Sequence, residues 1–319
     1  MMPMLDMPIE KLGQYKGSSI CPPNFETYWN EQKRCADELV LKYQLIKKSF
    51  NNPYADYYDL YFRGIDGALI YAKYICPSHG KKVPTVIQFH DYKQSSKGWH
   101  YLTRYIGIGY AVLAMDCRGQ GGKSEDKGGI CGSTVCGHLI AGLEDELDQL
   151  YYRKVYLDAY LLSKIAFQLP KTSPSEVTTY GVGQGGALAI TTAVLNPSVS
   201  KCVAQAPFLA DFKRVWEMDL DLEAYEGIRY YFRWFDPMHL KEDMVFTKLG
   251  YLDVVNFAPY LKSSLLVGTG LMDRICPPST QYAIVNQAMC PKKHVVFAKF
   301  SHELINAFED EYLKFLTFD

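Results

Sequence analysis

From residue 84 onward, short apolar runs alternate along the chain with longer stretches of helical periodicity. The runs are apolar at consecutive positions, which is typical of strands buried on both faces of a parallel sheet. In chain order they read TVIQFH, YAVLAMD, VTTYGV, KCVAQAP, SLLVGTG and HVVFAKF. The helical stretches include residues 151–169, ALAITTAVL, TQYAIVNQAM and the terminal HELINAFEDEYLKFL. This order predicts βαβ units, and hence an α/β fold with a mostly parallel sheet flanked by helices.

The segment before residue 84 has a different pattern. Residues 1–50 read as a polar N-terminal extension with one amphipathic helix, FETYWNEQKRCADELV. Two alternating segments, YYDLYFRG and ALIYAKYIC, then meet at a turn over residues 64–67, which predicts an antiparallel hairpin. Residues 209–250 are rich in aromatic and charged residues and are predicted to form a helical insertion or cap. No repeat or flexible linker divides the chain, so we expect one domain over residues 1–319.

The charge of the chain is nearly balanced, with 34 Lys and Arg against 35 Asp and Glu. This balance argues against an electrostatic binder of nucleic acid or of anionic membranes. No apolar run is long enough to span a bilayer, and the N-terminus does not resemble a secretory signal. Nine cysteines is an odd count in a chain too large to need disulfides, so we expect reduced thiols in a cytoplasmic protein. Cys131 and Cys136 lie close together, but their spacing fits neither a redox motif nor a zinc motif.

A glycine-rich segment, GVGQGG at residues 181–186, lies between a predicted strand and a predicted helix. Gly181, Gly183 and Gly186 satisfy G-x-G-x-x-G, the pattern whose helix N-terminus binds a dinucleotide pyrophosphate. That interpretation requires an acidic residue about 20 positions later, whereas no Asp or Glu lies between Gly186 and Phe208. The favoured interpretation is a nucleophile elbow, G-x-Ser-x-G, in which Gly183 stands at the serine position. A dinucleotide-dependent oxidoreductase remains the alternative.

An elbow requires an acid and then a histidine, each just after a later strand. Asp273 follows the run SLLVGTG, and His302 follows the run HVVFAKF, so both requirements are met in the right order. The pair His302-Glu303 would also begin the zinc motif H-E-x-x-H, but Asn306 stands where the second histidine is needed. We therefore expect acyl-transfer chemistry without a metal.

Several short motifs occur together over nearly the whole chain. They are MPIEKLGQYKG and CPPNFETYW near the N-terminus, RGQ at residues 118–120, QGG at 184–186, GLMDRICPPST with Asp273, and His302-Glu303. Together they resemble the acetyl xylan esterase / cephalosporin-C deacetylase family of α/β-hydrolases, carbohydrate esterase family 7.

The resemblance implies removal of O-acetyl groups from small acetylated xylo-oligosaccharides or cephalosporin C, without a cofactor. The family's nucleophile, acid and base fall on Gly183, Asp273 and His302. The backbone N–H groups of Tyr92 and Gln184 are the expected oxyanion hole, which stabilises the tetrahedral intermediate of acyl transfer. The resemblance also implies a homohexamer with its active sites facing an inner cavity, which restricts substrates to small molecules.

Two departures from the family pattern bear on activity. Asp91 stands where the family has glycine, and a carboxylate beside the hole would oppose the developing negative charge unless it points away. Gly183 cannot form an acyl-enzyme, and loss of a triad serine costs on the order of 10⁶ in kcat. Glycine enters the strained elbow without a penalty, so we expect an intact fold with its activity abolished. A non-catalytic binder of acetylated sugars is a further alternative.

Overall fold

A mixed sheet forms the centre of the molecule in the computed structural model, which describes residues 5–130 and 137–317. Its strands are β1 (Tyr43–Lys47), β2 (Ala55–Arg63), β3 (Leu69–Pro77), β4 (Val83–Phe89), β5 (Ala111–Met115), β6 (Thr172–Val182), β7 (Lys201–Gln205), β8 (Ser264–Gly270) and β9 (Lys292–Phe297). They pair in the order β1-β2-β3-β5-β4-β6-β7-β8-β9. The pairs from β1 to β5 are antiparallel, and all pairs from β5 to β9 are parallel. The predicted mostly parallel sheet is therefore confirmed.

Helices cover both faces of this sheet. In the described part of the chain they are α1 (Ile9–Leu12), α2 (Phe25–Asp37), α3 (Trp99–Leu102), α4 (Tyr151–Gln168), α5 (Gln184–Leu195), α6 (Phe212–Glu217), α7 (Glu226–Trp234), α8 (Glu242–Gly250), α9 (Val254–Phe257), α10 (Pro278–Gln287) and α11 (Asn306–Thr317). Helices α4 and α5 pack together on one face, where α5 contacts β6 and β7, whereas α3 and α11 contribute to the apolar cluster on the other face. No described helix has both the length and the apolar character needed to cross a membrane.

The continuous apolar runs are explained by burial on both faces. Val86 and Ile87 are adjacent on β4 and both fully buried, yet they belong to different apolar clusters on opposite sides of the sheet. Leu265 and Leu266 repeat this division on β8. Because side chains alternate across a strand, a strand covered by helices on both sides needs an apolar residue at every position.

Most predicted elements lie where the pattern placed them, with two exceptions. The predicted hairpin is formed by β2 and β3, and the helix expected over 151–169 is α4. The terminal helix begins at Asn306 rather than at His302, because the side chain of Glu303 accepts the backbone N–H of Ser301 and the chain turns there. The N-terminal extension also supplies β1, which the sequence analysis missed. Its strand is short and largely exposed at the sheet edge, so it has no clear apolar signal.

The carboxyl ends of the parallel strands form the edge at which ligands bind in open α/β sheets. β4, β6, β8 and β9 all end at this edge, and the segments with the predicted site residues follow directly. Residues 209–250 contain α6, α7 and α8. Cys131 and Cys136 lie outside the described residues, while the described cysteines are all free thiols.

Candidate active site

The turn between β6 and α5 places Gly183 at the carboxyl edge of the sheet. Gly183 alone forms the corner between the strand and the helix, with φ 56° and ψ −119°. Positive φ disfavours residues with a Cβ atom and suits glycine. A Cβ atom at nearby Gly185 would lie 2.7 Å from the carbonyl carbon of Phe89, so the close contact of helix and strand also depends on glycine. This strand–turn–helix geometry is that of the predicted nucleophile elbow.

Asp273 and His302 lie side by side, just beyond the ends of β8 and β9. His302 Nδ1 and Asp273 Oδ2 are 2.9 Å apart. The other oxygen, Oδ1, accepts the backbone N–H groups of Ile275 and Cys276 at 2.9 and 2.8 Å, and the residue is fully buried. The carboxylate is thus held in place, and it holds the imidazole with Nε2 left for a second partner.

That second partner is Asp91, which follows β4. Asp91 Oδ2 lies 3.2 Å from His302 Nε2. Asp91 Oδ1 accepts the backbone N–H groups of Tyr92 at 2.7 Å and of Gln184 at 3.0 Å. These two donors are the pair expected to form the oxyanion hole, and both point at one atom. That atom is a carboxylate oxygen of the protein itself.

The sequence predicts that the carboxylate of Asp91 opposes the developing negative charge unless it points away from the hole. That carboxylate points in rather than away, because the space it occupies is vacant only when residue 183 has no side chain. A Cβ atom at Gly183 would overlap Oδ1 of Asp91 and would lie 2.5 Å from its Cγ. The two departures from the family pattern are therefore sterically complementary in this structure.

The imidazole of His302 is flanked by two carboxylates, and this determines its charge. Burial alone would lower the pKa of His302, but the hydrogen bonds to the carboxylates of Asp273 and Asp91 outweigh it and raise that pKa above its ordinary value. Burial raises the pKa of the Cys276 thiol to about 12, so this thiol is neutral near pH 7. Burial alone would raise the pKa of Asp91, but the hydrogen bonds from His302 and from the backbone N–H groups of Tyr92 and Gln184 outweigh it and bring that pKa below its ordinary value. We therefore assign an imidazolium between two carboxylates near neutral pH.

A buried polar network supports the elbow from below. The Gln184 side-chain oxygen accepts hydrogen bonds from Gln120 Nε2 at 2.7 Å and from the Tyr152 hydroxyl at 2.9 Å. Arg118, which is fully buried, donates two hydrogen bonds to Asp158 at 2.7 and 2.9 Å. Arg118 and Gln120 are the first and last residues of the RGQ motif, which therefore braces the loops around the site and does not touch the His302 imidazole.

His138 belongs to the surroundings of this site, and the sequence predicts only a solvated or structural role for it, because it follows no strand end with a partner. Its Nδ1 lies 3.1 Å from the Tyr92 hydroxyl, and its backbone N–H donates to the same hydroxyl at 3.0 Å. Burial lowers the pKa of His138, which favours the neutral ring. No local pattern marks this histidine, because its partner Tyr92 lies 46 positions earlier in the chain.

Three residues at the His302 imidazole are the metal-ligand candidates in the described part of the chain. Asp273, Cys276 and His302 offer ligand atoms that all lie within 4.8 Å of one another. However, His302 Nδ1 and Asp273 Oδ2 are bonded to each other, and the Cys276 thiol holds its proton at neutral pH. A metal ligand must be deprotonated, so the cluster is arranged to share a proton rather than to bind a cation.

The helix N-terminus at Gln184 does not fit the dinucleotide interpretation. A pyrophosphate would need the free N–H groups at the start of α5. The Gln184 N–H is instead bonded to Asp91, whose negative charge would repel a phosphate.

Residues 2–318 of the chain match the sequence model of one protein family, Acetyl xylan esterase (AXE1). The chain belongs to this family. Among solved structures, acetyl xylan esterase 1 from Thermoanaerobacterium sp. JW/SL YS485 is 43% identical, and the two share a TM-score of 0.96 over 98% of each chain. The family that the sequence motifs predicted is therefore confirmed.

Two more distant proteins are also similar to this chain. Acetyl esterase Axe7A of Xylanibacter ruminicola is 31% identical over 198 residues, which are 61% of this chain and 43% of Axe7A. The chain thus spans less than half the length of that curated relative. The α/β hydrolase GrgF from Penicillium sp. sh18 is 14% identical, with a TM-score of 0.58 over 82% of this chain and 97% of GrgF, and shares the fold alone. The predicted α/β-hydrolase fold is confirmed.

Proposed function

We propose that this chain is a carbohydrate O-deacetylase by descent, with a site for small acetylated xylo-oligosaccharides or cephalosporin C, that has lost serine-based hydrolysis. Membership of the acetyl xylan esterase family and the likeness to an acetyl esterase support the reaction class. One observation supports the proposed loss of serine-based hydrolysis. A carboxylate of Asp91, instead of a hydroxyl at Gly183, contacts both His302 Nε2 and the two backbone N–H groups.

Two separate defects oppose acetyl-ester hydrolysis in this arrangement. Without a hydroxyl at residue 183 no acyl-enzyme forms, which costs on the order of 10⁶ in kcat. An acetyl carbonyl also needs donors in place for its developing oxyanion, and losing one such donor costs about 10²–10³. Here both donors are bonded to Asp91, whose charge repels an oxyanion.

The test is to reverse both departures together. We expect no gain in kcat from Gly183→Ser alone, because the new side chain overlaps Asp91, nor from Asp91→Gly alone, because no nucleophile is added. The double variant Asp91→Gly/Gly183→Ser should hydrolyse 4-nitrophenyl acetate and an acetylated xylo-oligosaccharide at least about 10³-fold faster than the wild type.

A triple variant provides the matched control. Adding His302→Gln to the double variant should remove the gain, because a serine hydroxyl needs the imidazole as its base. A wild type that is already as active as the double variant contradicts the proposal. So does a folded double variant, verified by circular dichroism, that gains no esterase activity.

Three further properties are part of the proposal. The chain forms one domain in which residues 209–250 cap the site, it assembles as a homohexamer, and it works in the cytoplasm. These rest on the sequence pattern, the resemblance and the free thiols of the described residues. Light scattering after size exclusion tests the assembly, and a single cooperative unfolding transition tests the domain count.

A further inference from the structure

The two oxygens of the Asp91 carboxylate have different environments. Oδ1 is held by the N–H groups of Tyr92 and Gln184, and Oδ2 faces His302. The side chain still has 22% of its surface exposed. A cavity of about 170 Å³ opens onto it, lined in part by Gln88, Asp91, Lys97, Tyr101, Val182 and His302. Asp91 is therefore an ionised carboxylate whose Oδ1 is held by two backbone N–H groups and whose Oδ2 pairs with His302, and a small molecule can approach it from the cavity.

This arrangement suits one class of electrophile better than another. Attack on an acetyl carbonyl would create an oxyanion on the substrate, and the donors for that charge are already bonded to Asp91 Oδ1. Displacement at an sp³ carbon creates no oxyanion on the substrate, so the filled hole does not oppose it. The hole is needed only afterwards, when water attacks the resulting ester of Asp91 and the negative charge develops on Oδ1 itself.

We propose that Asp91 is a nucleophile toward an alkyl carbon whose leaving group departs as an anion, with an alkyl halide as the substrate class, and that His302 and the two backbone N–H groups hydrolyse the resulting ester. This activity is separate from the proposed function, since it requires neither a serine nor an acetyl group.

The reaction balances in two steps. In the first, an oxygen of Asp91 forms a bond to the carbon, the carbon–halogen bond breaks, and halide leaves with the electron pair. In the second, His302, having released its proton to solvent, takes a proton from water, and the hydroxide attacks Cγ of Asp91. The tetrahedral intermediate collapses by breaking the Cγ–O bond to the alkoxide, which takes the proton from His302. Asp91 is left as the carboxylic acid, and it passes its proton to the neutral His302, which restores the initial ion pair. The sum is alkyl halide plus water to alcohol plus hydrogen halide.

The change in charge between the steps lets His302 serve both. While Asp91 is ionised, two carboxylates hold the proton on the imidazole. Alkylation converts Asp91 into a neutral ester and removes one of the two negative charges. The pKa of His302 then falls, which makes the ring available as a base while Asp273 still orients it.

One other cavity residue fits this chemistry. Lys97 on the cavity wall carries an ammonium group that donates a 3.4 Å hydrogen bond to the side-chain oxygen of Gln94. A cation on the cavity wall favours departure of an anionic leaving group.

The experiment uses n-butyl bromide as the probe with the full-length protein. In the variant His302→Gln the ester should form but not hydrolyse, so intact-protein mass spectrometry should show one added butyl group. Peptide mapping should place this group on Asp91. The label should be absent at that peptide in His302→Gln/Asp91→Asn and present in His302→Gln/Glu226→Gln, which alters a surface carboxylate that pairs with Lys93.

A second measurement does not depend on the folding of these variants. Wild-type protein in excess over n-butyl bromide, in water enriched in oxygen-18, should release butanol with ordinary oxygen and retain the heavy isotope in Asp91. Heavy oxygen in the first-turnover butanol would mean direct attack by water and would overturn the proposal. Alkylation confined to cysteines, or no butanol above the buffer rate, would also overturn it. Neither result would affect the esterase test, which depends on residue 183.

Discussion

Oδ1 of Asp91 occupies the space that a Cβ atom on residue 183 would need. The two residues are 92 positions apart in the chain, yet the rotamer of one is permitted only by the absence of a side chain on the other. The same oxygen is bonded to the N–H of Gln184, which directly follows Gly183. A glycine at the elbow and a carboxylate in the hole therefore form one structural unit, and altering either affects the other.

This dependence predicts strongly non-additive stabilities. Gly183→Ser alone should lower the free energy of unfolding by about 1–3 kcal/mol, because a side chain at positive φ is strained and overlaps Asp91. In Asp91→Gly/Gly183→Ser the overlap is absent. The coupling energy from a double-mutant cycle in urea should therefore be at least about 1 kcal/mol and favourable. Strictly additive effects would mean that the two side chains do not compete for this space.

Some features of this site follow from local sequence patterns, whereas others depend on contacts between distant parts of the chain. The elbow, Asp273 and His302 follow from strand ends, because parallel strands bring their carboxyl ends to one edge of the sheet. The direction of the Asp91 side chain could not be read, since it depends on the space around Gly183 in the folded state. Its place beside the expected hole was predicted, and the structure has Asp91 there.

The same reasoning explains what was missed in the fold. Strand β1 is a short edge strand with exposed side chains, so it lacks the apolar run by which the inner strands were recognised. The contact between His138 and Tyr92 is made across loops, for which no periodicity exists. Features set by local periodicity were predictable, whereas those set by tertiary contacts between loops were not.

The flanking carboxylates of His302 predict a specific pH dependence. The raised folded-state pKa means that His302 stabilises the fold fully below its unfolded value of about 6.5. That stability is lost as the pH rises through the raised folded-state pKa. Asp91→Asn removes one carboxylate and brings the folded-state pKa down. Between pH 7 and 9, the unfolding free energy of the wild type should therefore fall more steeply with pH than that of Asp91→Asn. The two slopes should differ by up to about 1.4 kcal/mol per pH unit.

Urea titrations at several pH values, with His302 followed by imidazole NMR, measure this effect. The ring should remain protonated at pH 8 in the wild type and lose its proton at a lower pH in Asp91→Asn. Parallel stability curves for the two proteins would show that Asp91 does not hold the proton on His302.

The buried ion pair of Arg118 predicts a large loss of stability upon its removal. Arg118→Met leaves the buried carboxylate of Asp158 without its partner, which should cost about 3–5 kcal/mol in unfolding free energy. Arg34 is the matched control, because it pairs with Glu31 on the surface and its side chain is 59% exposed. Arg34→Met should change stability by at most about 1 kcal/mol. Similar losses in both variants would contradict the assignment of Arg118 as the brace of these loops.

The elbow also depends on Gly185, where a substitution tests how closely α5 approaches β4. A Cβ atom there would overlap the carbonyl oxygen of Phe89 and would lie 2.7 Å from its carbonyl carbon, and neither backbone atom can move without disturbing β4. Gly185→Ala should therefore lower the unfolding free energy by about 1–3 kcal/mol or more, as overpacking does in a close-packed core.

Gly107 is the control for this substitution, because a Cβ atom there meets nothing within 4 Å and its φ is not positive. Gly107→Ala should be neutral or stabilise the protein by up to about 1 kcal/mol, since it restricts the unfolded chain without straining the folded one. Chemical denaturation of the two alanine variants separates backbone crowding from a general effect of adding a methyl group. If Gly185→Ala is as stable as Gly107→Ala, the helix lies further from the strand than the structure has it, and the positions of the Gln184 N–H and of Asp91 must be revised with it.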